Sequence, residues 1–221
     1  IMHLVTGSTG YVGSVIVNKL INSNLNFIAI DKSISKVNSK YINNNIELDI
    51  TNFKELEEVF KKHKNIECIY HCAAQLNFNK RNKNYFQKVN VESTEVLSNL
   101  AIKYGVRNFI YISSNCVYGK LNSLDISEDY PTNPFEEYGQ SKLESENILL
   151  SKKSKLNIII FRPPTIIGEG RLGILSVVFD FIKDSKKLFL VGNGTNRYQF
   201  VYGDDLATAC IAASYYDKTN I

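Results

Sequence analysis

No apolar run in this 221-residue chain reaches the roughly 18 residues that a membrane-spanning helix needs, which argues against a helix that crosses a bilayer. Charge of one sign is scarce too. Twenty-six Lys and Arg against 22 Asp and Glu leave a net charge of +4. That is too mild for a nucleic-acid partner, and no basic run is interleaved with aromatics. Cysteine is limited to Cys68, Cys72, Cys116 and Cys210. Their spacing fits neither a zinc ribbon nor a thioredoxin-type pair, so no metal is expected. They read as small core residues in a reducing compartment. The N-terminus has no basic stretch leading to a cleavage site, because its first apolar run, Ile1 to Val5, goes straight into a glycine turn. A cytoplasmic protein without membrane partners is the expectation. No internal repeat is visible.

What is present is a 44% hydrophobic chain, enough for a sizeable core and one to two domains. Short β-rich runs alternate with helical patterns. Ile1–Val5, Asn26–Ile30, Ile46–Leu48, Cys68–Cys72, Asn108–Ile112 and Leu156–Phe161 read as strands. Between them lie a helix carrying Val12, Val15, Ile16 and Leu20, a polar loop over 32–45, and a helix with the stripe Phe53, Leu56, Val59, Phe60, for which Thr51 or Asn52 can act as cap. A long helix is expected over about 83–104 and another around Tyr138, preceded by Pro131 and Pro134. Later come a helix near 174–184, a short strand at Leu188–Val191 and a last helix from about Asp204. Such alternation means a parallel sheet with helices on both faces, the doubly wound Rossmann-like α/β fold. Residues 1–162 are expected to form its dinucleotide-binding part. Residues 163–221 would supply partial substrate-binding segments interleaved with its last elements. Ligands of such sheets bind at the carboxyl ends of strands.

The polar residues cluster at those ends. Thr6-Gly7-Ser8-Thr9-Gly10-Tyr11-Val12-Gly13 joins the first strand to the first helix. Glycines there allow a tight turn and let a pyrophosphate approach the free N–H groups and dipole of the helix N-terminus. Asp31 ends the second strand, where a carboxylate can accept both ribose hydroxyls of an adenosine and repel a 2′-phosphate, favouring NAD over NADP. Lys32 beside it could tolerate a phosphate. Asp49 can cap the next helix or meet an adenine amino group. Tyr138 and Lys142 stand four residues apart on one helix face, and a protonated Lys beside a Tyr favours the phenolate. That would bring the phenol toward the range of a general base. Ser113 and Ser114 follow the fifth strand.

These residues resemble the short-chain dehydrogenase/reductase superfamily, in its extended branch of nucleotide-sugar epimerases and dehydratases. The likeness is carried by Thr6 to Gly13, Asp31, Asp49-Ile50, His71-Cys72-Ala73-Ala74, Asn90-Val91, Ser113-Ser114 with Val117-Tyr118-Gly119, Tyr138 with Lys142, and Phe161-Arg162-Pro163. Gly192-Asn193-Gly194 and Phe200-Val201-Tyr202-Gly203-Asp204-Asp205 extend it, so it covers nearly the whole chain.

The resemblance implies Tyr138 as catalytic acid/base, with Lys142 on the nicotinamide ribose and depressing the Tyr138 pKa. Ser114 would bond the reacting oxygen, and Ser113 would be its structural partner. It implies NAD held by Gly7, Thr9, Gly10, Tyr11, Val12, Gly13, Asp31, Asp49, Ile50, Cys72, Ala73, Ala74, Asn90, Ser113, Tyr138, Lys142 and Pro164. A nucleotide-sugar would meet Ser114, Asn115, Tyr138, Thr165, Arg171 and Arg197, although each Arg can equally be a surface charge. A homodimer through the long helix and the Tyr138 helix is implied as well.

Departures narrow the reaction. The branch's 4,6-dehydratases follow the active-site Ser/Thr with an Asp-Glu pair, whereas Asn115 and Cys116 stand here. Pro164-Thr165 replaces an Asn common after the sixth strand, and Tyr198 takes a position where relatives carry Arg. Relatives also continue past the point where this sequence stops, so either a fragment or an unusually open pocket is expected. The reading is an NAD-dependent epimerase of the UDP-glucose 4-epimerase kind. The alternatives are an NAD(P)-dependent reductase of a sugar-, steroid- or flavonoid-like alcohol and a non-catalytic dinucleotide sensor.

Overall fold

The structure is a computed structural model that describes residues 1–35, 43–76, 81–123, 125–187, 192–195 and 197–216. Six strands run parallel: β1 (Met2–Thr6), β2 (Asn26–Asp31), β3 (Asn45–Glu47), β4 (Ile66–His71), β5 (Asn108–Ile112) and β6 (Asn157–Phe161). Their order is β3-β2-β1-β4-β5-β6. The chain thus winds outward from β1 to β3, returns beside β1, and winds the other way. The reversal between β1 and β4 opens a crevice at the strands' carboxyl ends, the usual ligand position of such a sheet.

Alternation along each strand feeds two cores. Leu4, Ile28, Ile69, Phe109 and Tyr111 face one side, where α2 (Phe53–Lys62), α4 (Ser93–Lys103) and α5 (Glu137–Leu150) pack. Val5, Ala29, Tyr70 and Ile110 face the other, against α1 (Tyr11–Asn22) and α7 (Gly203–Ala213). Strands buried on both faces read as continuous apolar runs, which is why they were legible. α7 belongs to this second layer, with Leu206, Ala207 and Cys210 buried and Lys19 of α1 bonded to Asp204 at 2.6 Å.

The expected elements are found with ends shifted by one or two residues. Asn52 caps α2, its side chain accepting from the Glu55 N–H at 3.4 Å. The long helix differs in kind. α3 (Lys83–Gln87) passes through a π-helical turn, Lys88–Glu92, before α4. Also unforeseen is a separate parallel pair, β7 (Thr165–Ile167) with β8 (Phe200–Tyr202). α6 (Ile174–Lys183) follows β7. The strand expected at Leu188–Val191 lies outside the described residues. All four cysteines are free thiols. Cys68 and Cys210 are buried and Cys72 half-buried, but Cys116 is exposed, so the core reading does not hold for it.

Two buried histidines make the fold sensitive to acid. His3 stacks on Tyr70 with ring centroids 5.6 Å apart, and burial pulls its pKa down to about 4. Burial and then Lys142 pull His71 down to about 3. Below pH 6.5 the unfolded chain takes up protons that these rings refuse in the fold. Stability is therefore full above 6.5 and falls as pH drops through that window, by on the order of 3 kcal/mol from His3 alone. Urea midpoints at pH 7 and pH 4.5 should show this loss, and His3→Phe should shrink the pH-dependent part whatever it does to absolute stability.

Candidate active site

The turn after β1 is shaped by close approach. Gly7 has φ +68°, and a Cβ on it would stand 2.6 Å from the Ala73 nitrogen. A Cβ on Gly13 would run into the Gly7 carbonyl. Side chains are excluded where β1 and β4 part, so a ligand can reach the backbone of the turn and the N-terminus of α1. Beside it lies a cleft of about 270 Å³ walled by Gly7, Thr9, Gly10, Asp31, Asp49, Ile50, Cys72, Ala73 and Ala74. Ile30, Lys32, Leu48, Gln75, Tyr85 and Val89 complete the wall.

Asp31 stands at the end of β2 with its Oδ2 accepting the Thr9 N–H at 2.9 Å, which ties the acid to the glycine turn. Asp49 does not cap α2, whose cap is Asn52, but closes the turn that leads into it. Its Oδ1 accepts the Thr51 N–H at 2.9 Å and the Thr51 hydroxyl at 2.8 Å, and its Oδ2 accepts the Tyr85 hydroxyl at 2.8 Å. Burial opposes its charge, but these hydrogen bonds outweigh burial and hold the carboxyl below its usual range. Tyr85 stands four residues before Val89 and packs against the same core, so periodicity marks it as core and gives no sign that its hydroxyl serves Asp49.

Tyr11 and Val12 contribute backbone rather than side chain to this turn. Val12 packs into the α1 core. Tyr11 reaches toward Gly203, where a Cβ would come 2.7 Å from its hydroxyl, and the Arg171 guanidinium sits 5.3 Å from its ring centroid.

A second set of residues extends from the cleft to α5. The π-helical turn carries Asn90, whose side chain accepts the Gln75 N–H at 2.7 Å and donates to the Gln75 carbonyl and the Ser141 hydroxyl, both at 3.0 Å. Its carbonyl accepts the hydroxyls of Thr94 at 3.0 Å and Ser145 at 2.7 Å. Because Thr94 donates there, His71 must donate from Nε2 to Thr94 at 2.9 Å and accept the Thr6 hydroxyl on Nδ1 at 2.7 Å. Thr6, His71, Thr94 and Asn90 thus form one chain of hydrogen bonds from β1 through β4 to the long helix.

α5 places Tyr138 and Lys142 one turn apart. Lys142 is 2% exposed; its Nζ donates to the Ile112 carbonyl at 2.8 Å and lies 4.6 Å from the Tyr111 ring centroid and 5.7 Å from that of Tyr138. Burial pulls its pKa down to about 8, against the pull of Cys72 and Glu146. Tyr138 corrects the sequence-based expectation. Burial pushes its phenol up to about 12, reinforced by the nearby Cys116 thiol and opposed by Arg171. Desolvation of the phenolate wins over the attraction of Arg171.

Ser113 is buried and gives its hydroxyl to Glu146. Ser114 is half-buried at the mouth of β5, and its Oγ accepts the Cys116 N–H at 3.2 Å. Asn115 is exposed in the 3₁₀ turn Asn115–Tyr118. Pro164 is half-buried, and Thr165, Arg171 and Arg197 are exposed. Arg171, facing Tyr11 and acting on Tyr138, is brought to the site; Arg197 lies on the segment before β8.

The model of the NAD dependent epimerase/dehydratase family matches residues 3–219. The uncharacterized protein y4nG of Sinorhizobium fredii is 32% identical over 216 residues, covering 96% of this chain and 52% of its own. A putative UDP-glucose 4-epimerase of Methanocaldococcus jannaschii is 32% identical over 225 residues, covering 96% of this chain and 73% of its own. The solved UDP-glucose 4-epimerase of Thermotoga maritima, with UDP-glucose, has a TM-score of 0.82 at 26% identity and covers 96% of this chain and 73% of that one. The chain spans about half the length of the first of these relatives.

A dinucleotide fits the residues present. The turn has room only where side chains are missing, and Asp31 offers a carboxylate at the strand end. Asp31→Ala should weaken NAD binding by about tenfold or more and narrow its preference over NADP. Titrating both dinucleotides against wild type and variant checks this, and an unchanged preference would remove Asp31 from the site.

Proposed function

We propose that this chain, which belongs to the NAD dependent epimerase/dehydratase family, acts as an NAD-dependent epimerase of a nucleotide-sugar, of the UDP-glucose 4-epimerase kind. One observation carries the reading. α5 brings Lys142 to the Ile112 carbonyl at the end of β5, two residues before Ser114, with the Tyr138 ring near its ammonium, and Asn90 joins that same helix to the wall of the cleft. The glycine turn and α1 N-terminus would hold a pyrophosphate, Asp31 the adenosine ribose, and Lys142 the ribose at the reacting end. When bound, NAD supplies reversible hydride chemistry.

The chain's own residues orient the sugar and move the proton. The Ser114 oxygen accepts a backbone N–H, which leaves its own proton to donate to an oxygen of the substrate. Tyr138 holds its proton on Oη at neutral pH, which suits the half-reaction that returns a proton to a keto oxygen. In the opposite half-reaction the phenol must act as base, and Lys142 and Arg171 are the cations near enough to favour the phenolate. Arg171 is also the cation available to a substrate diphosphate at this end, with Thr165 at the start of β7 before it. Asn115 has no titratable group, and water elimination needs a second acid/base couple, so isomerisation is preferred over dehydration. A homodimer through α3–α4 and α5 belongs to the same reading.

The purified protein should interconvert UDP-glucose and UDP-galactose with no net change in nicotinamide absorbance, and native mass spectrometry should find NAD on it. Tyr138→Phe should lower turnover by about 100-fold or more with the fold intact. An absorbance change proportional to substrate consumed would instead make the protein a dehydrogenase.

A further inference from the structure

Glu146 lies two turns beyond Tyr138 on α5, with its side chain 0% exposed. Both carboxylate oxygens are engaged. Oε1 accepts the Ser113 hydroxyl and the Arg162 Nε–H, the latter at 3.1 Å. Oε2 accepts Nε and Nη2 of Arg162 at 3.1 and 2.7 Å. The guanidinium then donates from Nη1 to the Tyr118 hydroxyl and the Glu128 carbonyl, both at 3.0 Å, and lies 4.9 Å from the Tyr118 ring centroid. One ion pair therefore gathers the end of β5, the 3₁₀ turn, the end of β6 and the segment around Glu128.

Stability is a weak reason to keep such a pair, because apolar residues of similar volume usually do as well or better. Its position offers another reason. The Ser113 N–H donates to the Phe161 carbonyl at 2.8 Å, and the Asn115 N–H to the Pro163 carbonyl at 3.1 Å. The two neighbours of Ser114 are thus fixed to the two neighbours of Arg162. Ser114 itself is extended, with φ −158° and ψ 151°, and its oxygen is held by the Cys116 N–H. None of these residues lines the dinucleotide cleft, and Ser113, which the resemblance places on NAD, is buried with its hydroxyl turned to Glu146 instead.

We propose that the Glu146–Arg162 pair is a positioning device for Ser114, clamping the chain on either side of it so that its hydroxyl meets the reacting oxygen opposite Tyr138. The role in turnover rests on the epimerase reading above; the clamp on the 114–118 turn does not. Arg162 and Glu146 act on the site through the serine, and Glu146 also through the charge it presents to Lys142, which Ser113→Ala leaves in place.

Two variants test it without stranding a charge. Ser113→Ala cuts the hydroxyl link, and Glu146→Met with Arg162→Met removes both charges together. Turnover of UDP-glucose, NAD affinity and thermal midpoint are measured with the rate at which a thiol reagent modifies Cys116, the exposed thiol two residues past Ser114. Ser113→Ala, which leaves Glu146 beside Lys142, should lose about tenfold or more in kcat with KM and NAD affinity within about twofold, because only the geometry at the reacting oxygen is disturbed, and the double variant should lose at least as much kcat. The Cys116 rate should change by about threefold or more as the turn loosens, while the double variant stays folded. A merely structural pair would lower the thermal midpoint and leave kcat and the Cys116 rate alone. Unchanged kcat in the folded double variant would overturn the proposal while the epimerase reading stands. If the wild-type protein turns over no nucleotide-sugar, that reading fails instead, and the Cys116 rate alone decides whether the pair positions the turn.

Discussion

A buried ammonium is the constraint on which the packing of α5 against the sheet depends. Taking Lys142 out of water costs several kcal/mol unless its protons find partners. It finds the last carbonyl of β5, at Ile112, the face of Tyr111, and the charge of Glu146 one turn along. Satisfying that one group fixes how α5 lies on the sheet. The residues around it are small: Gly139, Ser141 and Ser145 are all buried, and a Cβ on Gly139 would stand 2.8 Å from the Cys116 carbonyl. Once Lys142 is seated, Tyr138 lies one turn before it on the same helix, with its ring centroid 5.7 Å from the ammonium.

The dinucleotide cleft and the Tyr138–Lys142 end of α5 are built from different elements, and Asn90 is where they meet. An ordinary α-helical turn satisfies its own carbonyls and points its side chains along one face. The widened turn at Lys88–Glu92 instead presents the Asn90 carbonyl to hydroxyls of Thr94 and Ser145 and its amide to Gln75 and Ser141. π-Helical turns of this kind are found mostly at functional sites. Here the turn fixes the spacing between the loop after β4 and the helix that carries Tyr138. A disturbance at Gln75 is one hydrogen-bonded residue away from Ser141.

Most of the fold was legible because parallel strands buried on both faces leave unbroken apolar runs, and because glycines at Gly7 and Gly13 announce a turn that no other residue fits. Asp31 was legible for the same reason, a charge placed at the end of such a run. The π-helical turn was not, since Phe86, Val89, Leu97 and Leu100 all remain buried and the periodicity shows no break. Nor was the Glu146–Arg162 pair. The two residues lie 16 apart, and a lone acid on a helix reads as a solvated face until a sheet brings its partner over. β7 and β8 are three residues each, too short for alternation to register. The Tyr138 pKa failed for a deeper reason. Spacing reports which charges are near, but burial depends on everything else in the fold.

That failure is informative about how the pair works. In water a phenol and a lysine ammonium titrate within about half a unit of each other. In this fold burial drives them apart, the phenol up to about 12 and the ammonium down to about 8, because each is deprived of solvent in its charged form. Near pH 7 the proton stays on Tyr138, and Lys142 remains mostly charged while already close to giving its proton up. Neither group is a strong base in its resting state. What the arrangement provides is a dry place in which one added or removed charge shifts both equilibria strongly, since electrostatic interactions are screened least where water is excluded. Pairs whose environments separate their pKa values are the ones that divide acid and base roles. The same burial that makes Lys142 costly to fold around therefore makes Tyr138 responsive to whatever charge develops beside it.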